Sequence, residues 1–232
     1  MAKESNTESK KVIVITGTSR GLGASFLNQL QSKNHTIICI QRNTKDVAAL
    51  NNDHHYIELD LSRPRDDWDV DAYLPESFDE LVFINNAGTF GAISKVSDLS
   101  ASDIETAQSV NISMPIIIIK KLLDLSLRCK RPYTIINISS GAANHPFAGW
   151  SLYCASKSYM KMFLDCLDLE YEHLSVTHID PGVMDTGMQA EIREAPSQHF
   201  PEKEQFVDLK KNNDLRSTDD VAMDILRTEN LI

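Results

Sequence analysis

Tyr153-Cys154-Ala155-Ser156-Lys157 puts a phenol and an ammonium four residues apart. On a helix the two side chains leave from one face. A free tyrosine titrates near pH 10, and a close ammonium stabilises the phenolate and lowers that value, each unit being worth about 1.4 kcal/mol. Ser140 lies thirteen residues before the tyrosine, just past a predicted strand, where its hydroxyl can hold a carbonyl oxygen. The three groups together suit acid–base chemistry at a carbonyl. The spacing of Tyr153 and Lys157 alone is weak, because any exposed helix produces it by chance. It gains weight from its place after a strand ending in Ser139-Ser140 and downstream of a glycine-rich turn.

That turn is Thr16-Gly17-Thr18-Ser19-Arg20-Gly21-Leu22-Gly23. Glycines between a strand and a helix let backbone N–H groups approach a pyrophosphate, and the helix dipole favours its charge. A site for NAD usually has an acidic residue at the tip of the second strand, to bond the ribose 2′-hydroxyl. Here that strand runs into Arg42, and Arg20 stands in the glycine turn itself. Two guanidinium groups suit a 2′-phosphate; the plainer reading is a pair of solvated arginines. The missing acid favours the phosphate, so the expected cofactor is NADP(H).

The elements that must position these groups alternate along the chain. Val12–Thr16 is continuous, β-branched and followed at once by glycine, as a buried strand is. Leu22–Ser32 reads as a helix with Leu22, Phe26, Leu27 and Leu30 on one face. Further strands are predicted at Thr36–Gln41, Tyr56–Asp60, Leu81–Asn85, Tyr133–Ser139 and Ser175–Asp180. Helices are predicted from about Ala101 to Arg128, with Pro115 as a kink, and over Ser151–His173 and Ser217–Arg227, the last capped by Ser217. Pro64, Asp66–Asp69 and Pro75 leave little room for a crossover helix between Leu61 and Asp79. The stretch from Met184 to Asn213 is polar and weakly periodic, as a mobile substrate flap would be. The pattern predicts one α/β domain over 12–232, a parallel sheet covered on both faces, behind a flexible tail at 1–11.

Composition narrows the function classes. The chain has 232 residues, 42% hydrophobic and 24% charged, with 23 Lys plus Arg against 33 Asp plus Glu and a net charge of −10. Such a balance lacks the footprint of a nucleic-acid binder. Four scattered cysteines show no zinc spacing and no disulfide framework, so reduced thiols, a cytoplasmic protein and no metal are expected. No signal core is seen, and the longest apolar run, Met114–Ile119, is far below a membrane span. The sequons at Asn111 and Asn137 fall in segments read as ordered interior.

Taken in order, these motifs resemble the short-chain dehydrogenase/reductases over nearly the whole chain. The matching pieces are Thr16–Gly23, Asp60-Leu61, Asn85-Asn86-Ala87-Gly88, Asn111, Ser140, Tyr153, Lys157, and Pro181-Gly182 with Thr186. His145–Lys157 and Pro181–Gln189 are similar, more narrowly, to sepiapterin reductases and the related benzil reductases. The resemblance implies a Rossmann-type doubly wound sheet of about six strands in the order 3-2-1-4-5-6, and NADPH-dependent reduction of a small ketone or vicinal dicarbonyl. It implies that Gly17, Ser19, Arg20, Gly21 and Leu22 hold the phosphates, with Arg42 joining Arg20 at the 2′-phosphate. Asp60 and Leu61 would contact adenine, and Asn86, Ala87 and Gly88 the adenosine ribose. Pro181, Gly182, Val183 and Thr186 would line the nicotinamide end. Ser140 and Tyr153 would bond the carbonyl oxygen, Tyr153 giving the proton. Lys157 would lower the tyrosine pKa and hold the nicotinamide ribose, and Asn111 a water linking Lys157 to solvent. A homodimer through the two long helices is implied as well. Members normally continue into a seventh strand, whereas this sequence ends at Ile232, so that strand is expected to be absent and a truncated C-terminus is one reading.

Phe147 and Trp150, just before the tyrosine, are expected to wall the substrate pocket, and Met184 and Met188 to touch an apolar substrate from the flap. Met160, Phe163, Leu164 and Leu167 follow helical spacing and read as core or subunit contact. His145, His178 and His199 form no recognisable set. Two alternatives stay open: oxidation of an alcohol with NADP, and a dinucleotide-sensing protein without turnover.

Overall fold

The computed structural model describes residues 9–43 and 54–232. The first eight residues of the expected tail lie outside the described residues. Six parallel strands form one sheet in the order β3-β2-β1-β4-β5-β6. They are β1 (Lys11–Thr16), β2 (Thr36–Gln41), β3 (His54–Glu58), β4 (Glu80–Asn85), β5 (Tyr133–Ile138) and β6 (Leu174–Ile179). The continuous apolar runs have a physical reason: both sheet faces are covered, so every side chain of Val12–Ile15 is fully buried. Ile13 and Ile15 meet α1 (Gly21–Leu30) and α7 (Thr218–Thr228). Val12 and Val14 belong to the opposite core, with α3 (Met114–Cys129) and α4 (Ser151–Glu170). Met160, Leu164 and Leu167 are part of that second core, as their spacing predicts. Ser217 caps α7 by accepting from the Asp220 N–H, as expected.

The single helix expected over Ala101–Arg128 is divided. α2 (Ala101–Gln108) passes through a π turn, Ser109–Ser113, into α3. Pro115 lies one turn past this irregularity rather than at it. It has no N–H for the carbonyl four residues back, which is that of Asn111, and the ladder widens there. Between Leu61 and Asp79 the chain makes only a short 3₁₀ turn at Asp71–Tyr73. Trp68, Val70 and Phe78 are buried there in place of a helix.

The stretch from Met184 to Asn213 is more regular than its weak periodicity predicts. It contains α5 (Gly187–Glu194) and α6 (Lys203–Lys211). Few apolar residues anchor them, but Ile192, Ala195, Phe200 and Phe206 all bury into a third cluster with Phe90, Trp150 and Tyr153. Trp150 is its hub. It stacks on Phe200 at 4.7 Å and 8° and packs tilted on Phe90, Phe147 and Phe206. This cluster sits above the carboxyl ends of the strands, apart from the two sheet-face cores.

Candidate active site

Each expected site group lies on a segment that leaves the carboxyl end of a strand or on the helices facing those ends, where open parallel sheets bind ligands. One cavity of about 490 Å³ runs along them, within the range of small-molecule sites. At one end it is lined by Arg42 after β2 and by Asp60 and Leu61 after β3. Its middle passes Gly17, Ser19, Arg20, Gly21, Leu22, Asn86, Ala87 and Gly88. The far end holds Ser140, Tyr153, Lys157, Pro181, Gly182, Val183 and Thr186, with Phe147, Trp150, Met184 and Met188. Of the expected residues, Asn111 alone is not on the wall; it stands behind it.

The glycine turn is built to let a ligand come close. Gly17 has φ +74°, and a Cβ there would stand 3.1 Å from Ala87 Cβ. A Cβ on Gly23 would run into the Gly17 carbonyl oxygen and stand 2.6 Å from Asn86 Nδ2. Asn86 locks this turn to β1: its Nδ2 donates to Thr16 O at 2.9 Å and Gly17 O at 3.3 Å. Its side chain is therefore a brace, and the Ala87–Gly88 backbone faces the cavity. The Leu22 side chain is buried in the α1/α7 core, which leaves only its backbone for the cavity. No side chain caps α1, so its first N–H groups stay available for an anion. Thr186 caps α5 by accepting from the Gln189 N–H. These features fit a dinucleotide: a glycine-lined cradle in the middle, an open helix N-terminus, and cations at Arg20 and Arg42.

Among the described residues no acid stands at the tip of β2. Its last residue, Gln41, accepts from Thr18 Oγ1 at 2.7 Å and donates to Asn43 O at 2.8 Å. Arg42 follows it, exposed. Arg20 is also exposed and leans towards α5, its guanidinium carbon 3.9 Å from where a Gly187 Cβ would be.

At the other end Ser140 and Tyr153 come together, the serine hydroxyl acting on the phenol and favouring its charged form. Ser140 Oγ also accepts from the Ala142 N–H at 3.2 Å, and the backbone there is extended, with φ −165°. Lys157 Nζ donates to Ile138 O at 2.7 Å and lies 5.6 Å from the Tyr153 ring centroid. Asn111 is fully engaged: Nδ2 donates to Thr89 O and Ser156 Oγ, and Oδ1 accepts from the Thr89 N–H. Ser156 in turn donates to Tyr153 O. The π turn is thereby tied to the helix that carries the tyrosine.

The expected lowering of the tyrosine pKa by Lys157 is not found. Burial dominates and pushes the Tyr153 hydroxyl up to about 12, with the Ser140 hydrogen bond opposing. Burial likewise brings the Lys157 ammonium down to about 8. Desolvation penalises the charged form of each group, and sequence spacing carries no measure of it. Sequence reasoning also missed Phe90, Ile192, Phe206 and Asp180, which line the cavity. The first three lie far from the tyrosine in sequence, and no local pattern marks them. Asp180 had a signal, as the residue between β6 and Pro181-Gly182.

The histidines stay outside the site. His178 bonds Asp165 at 3.0 Å and Asn137 at 3.1 Å on the α4 side of the sheet, and His199 bonds Ser94. Among the described residues no three His, Cys, Asp or Glu side chains gather as a metal site, and no helix is long and apolar enough to cross a membrane.

A family model described as short chain dehydrogenase matches residues 11–197. A benzil reductase ((S)-benzoin forming) of Bacillus subtilis is 30% identical over 223 residues, covering 93% of this chain and 92% of the relative. Sepiapterin reductase of Bos taurus is 30% identical over 207 residues, covering 80% and 77%. Among solved structures, the KRED1-Pglu enzyme superposes with a TM-score of 0.79 at 25% identity, over 91% of each chain.

Proposed function

Because the chain belongs to the short chain dehydrogenase family, we propose that it is an NADPH-dependent carbonyl reductase acting on small aromatic ketones and vicinal dicarbonyls. The observation that carries this reading is the Ser140–Tyr153 hydroxyl pair at one end of a cavity whose other end is the glycine turn and Arg42. NADPH, when bound, supplies the hydride. Ser140 and Tyr153 donate to the carbonyl oxygen as negative charge builds on it, and Tyr153 gives it the proton. With its hydroxyl held at about 12, Tyr153 keeps that proton at neutral pH.

Lys157 supplies positive charge behind the tyrosine and a donor for ribose hydroxyls. With the Asn111 side chain spent, its main-chain carbonyl, which Pro115 cannot satisfy, is the atom we assign to a water leading to Lys157. Aromatic walls at Phe90, Phe147, Trp150 and Phe206 suit flat substrates. The benzil reductase relative, matched over nearly its full length, supports the same class. Segment 184–213 closes the pocket. We further propose a cytosolic homodimer. Tyr159, Met162, Cys166 and Leu169 form an exposed stripe on α4, Leu169 being 88% accessible, and such a stripe suits a second copy.

The test is NADPH oxidation with benzil, sepiapterin and a simple aromatic ketone, with NADH as control and Tyr153→Phe as the variant. The expected result is turnover of at least one compound, weak with NADH. Tyr153→Phe should lose most of that turnover while binding NADPH nearly as the parent does. Comparable turnover in the variant overturns the assignment of Tyr153, and failure to bind NADPH overturns the cofactor.

A further inference from the structure

Asp180 is the first residue after β6 and lies on the cavity wall beside the reacting hydroxyls. Ser139 N–H donates to Ile179 O at 2.7 Å, so the ends of β5 and β6 are zipped together. This brings Asp180 alongside Ser140 and Gly141. One carboxylate oxygen, Oδ1, accepts from the Gly182 N–H at 3.0 Å. The other, Oδ2, lies 3.4 Å from where a Cβ on Gly141 would stand. Asp180 is exposed, and among the described residues it forms no ion pair. The Asp180 charge is felt by both Tyr153 and Lys157.

The rest of this end is aromatic or uncharged, apart from Glu191 and the buried ammonium of Lys157. A free carboxylate in that setting has one plain consequence for ligands. It repels a second carboxylate near the reacting carbon and tolerates a neutral group.

We propose that Asp180 is a specificity-determining residue, a charge filter that turns away carbonyl compounds carrying a carboxylate next to the reacting carbonyl and admits their uncharged counterparts. The inference rests on the reductase reading above. Two unit charges about 7 Å apart, at effective dielectrics of about 20 to 50, repel by an amount equal to roughly fivefold to fiftyfold in rate. Neutralising Asp180 leaves Lys157, whose sign favours an anion, and Glu191 as the charged groups at this end.

The experiment compares benzoylformate with its methyl ester, two substrates of similar shape that differ by one charge. Steady-state kcat/KM with NADPH is measured for the parent, Asp180→Asn and Asp180→Ser. Asn keeps an oxygen for the Gly182 N–H, and thermal melting checks that each variant folds. The expected result is a strong ester preference in the parent that shrinks about tenfold in both variants, through a gain on the acid. Added salt should narrow the same gap in the parent. An ester-to-acid ratio unchanged within threefold in folded Asp180→Asn overturns the filter, as does an equal loss on both substrates. If the parent reduces neither compound, nor benzil, with NADPH, the reductase reading itself fails and takes the filter with it.

Discussion

Replacing Arg42 with alanine isolates the cofactor argument from the rest of the site. Arg42 stands directly after Gln41, whose side-chain amide is already spent on Thr18 and Asn43. Among the described residues nothing acidic stands at the tip of β2 to bond a ribose hydroxyl. Arg42 also faces Asp60: burial pulls the other way, but the Ser62 hydrogen bonds and then the Arg42 and Arg63 charges hold the Asp60 carboxyl below its ordinary value. Removing Arg42 thus deletes a cation from the place proposed for a phosphate carrying a charge of about −1.5 to −2, and takes away one of the charges that offset Asp60. A charge-assisted hydrogen bond contributes about 1.5–3 kcal/mol, or roughly 10- to 150-fold in an equilibrium. The expected result is a fall of that size in kcat/KM with NADPH and less than threefold with NADH. Arg42→Asp should carry the change further and bring the two cofactors close to parity or beyond. The assay is initial-rate kinetics with both cofactors on one good substrate, at two ionic strengths. A parallel fall with NADH, or a loss below threefold with NADPH, refutes the reasoning and returns Arg42 to the solvated surface.

Two further outcomes test the site. In the reductive direction Tyr153 and Lys157 must both carry their protons. Tyr153, near 12, keeps its proton throughout, whereas Lys157, near 8, loses its own as pH rises. A pH profile of kcat/KM should therefore be flat through neutrality and fall above about pH 8; a rate that climbs steadily from pH 7 to 9 contradicts this. Gly23→Ala drives a methyl group into the Gly17 carbonyl and Asn86, which should cost about 1–3 kcal/mol. Differential scanning calorimetry should show a Tm lower by roughly 2–12 °C, with little of the stabilisation that NADPH gives the parent. A variant that melts with the parent refutes the tight packing of that turn.

What the sequence reveals here is what local spacing encodes. Val12–Ile15 announces a strand covered on both faces, and the glycines that follow announce its turn. Tyr153 and Lys157 share a helix face whatever surrounds them. Segments whose role depends on distant partners are the ones that resist. Pro115 signals an irregularity, but the ladder widens a turn earlier, over Ser109–Ser113, where no local pattern marks it. Ile192, Phe200 and Phe206 are too few and too irregular to announce α5 and α6; their reason for being apolar is Trp150, far back in the chain. Spacing gives Lys157 the sign of its effect on Tyr153, but burial reverses the outcome, and burial belongs to the folded molecule.

The aromatic cluster around Trp150 is separate from both sheet-face cores, and that separation predicts that α5 and α6 open as a unit of their own. They can open without disturbing the strands, so their amides should exchange with solvent through a low-energy local opening, well before those of β1 or β4. The same cluster forms one wall of the cavity, where the proposed substrate would pack. Filling the cavity therefore tightens the unit that encloses it, and protection from hydrogen exchange in α5 and α6 becomes a reading of substrate occupancy that requires no turnover.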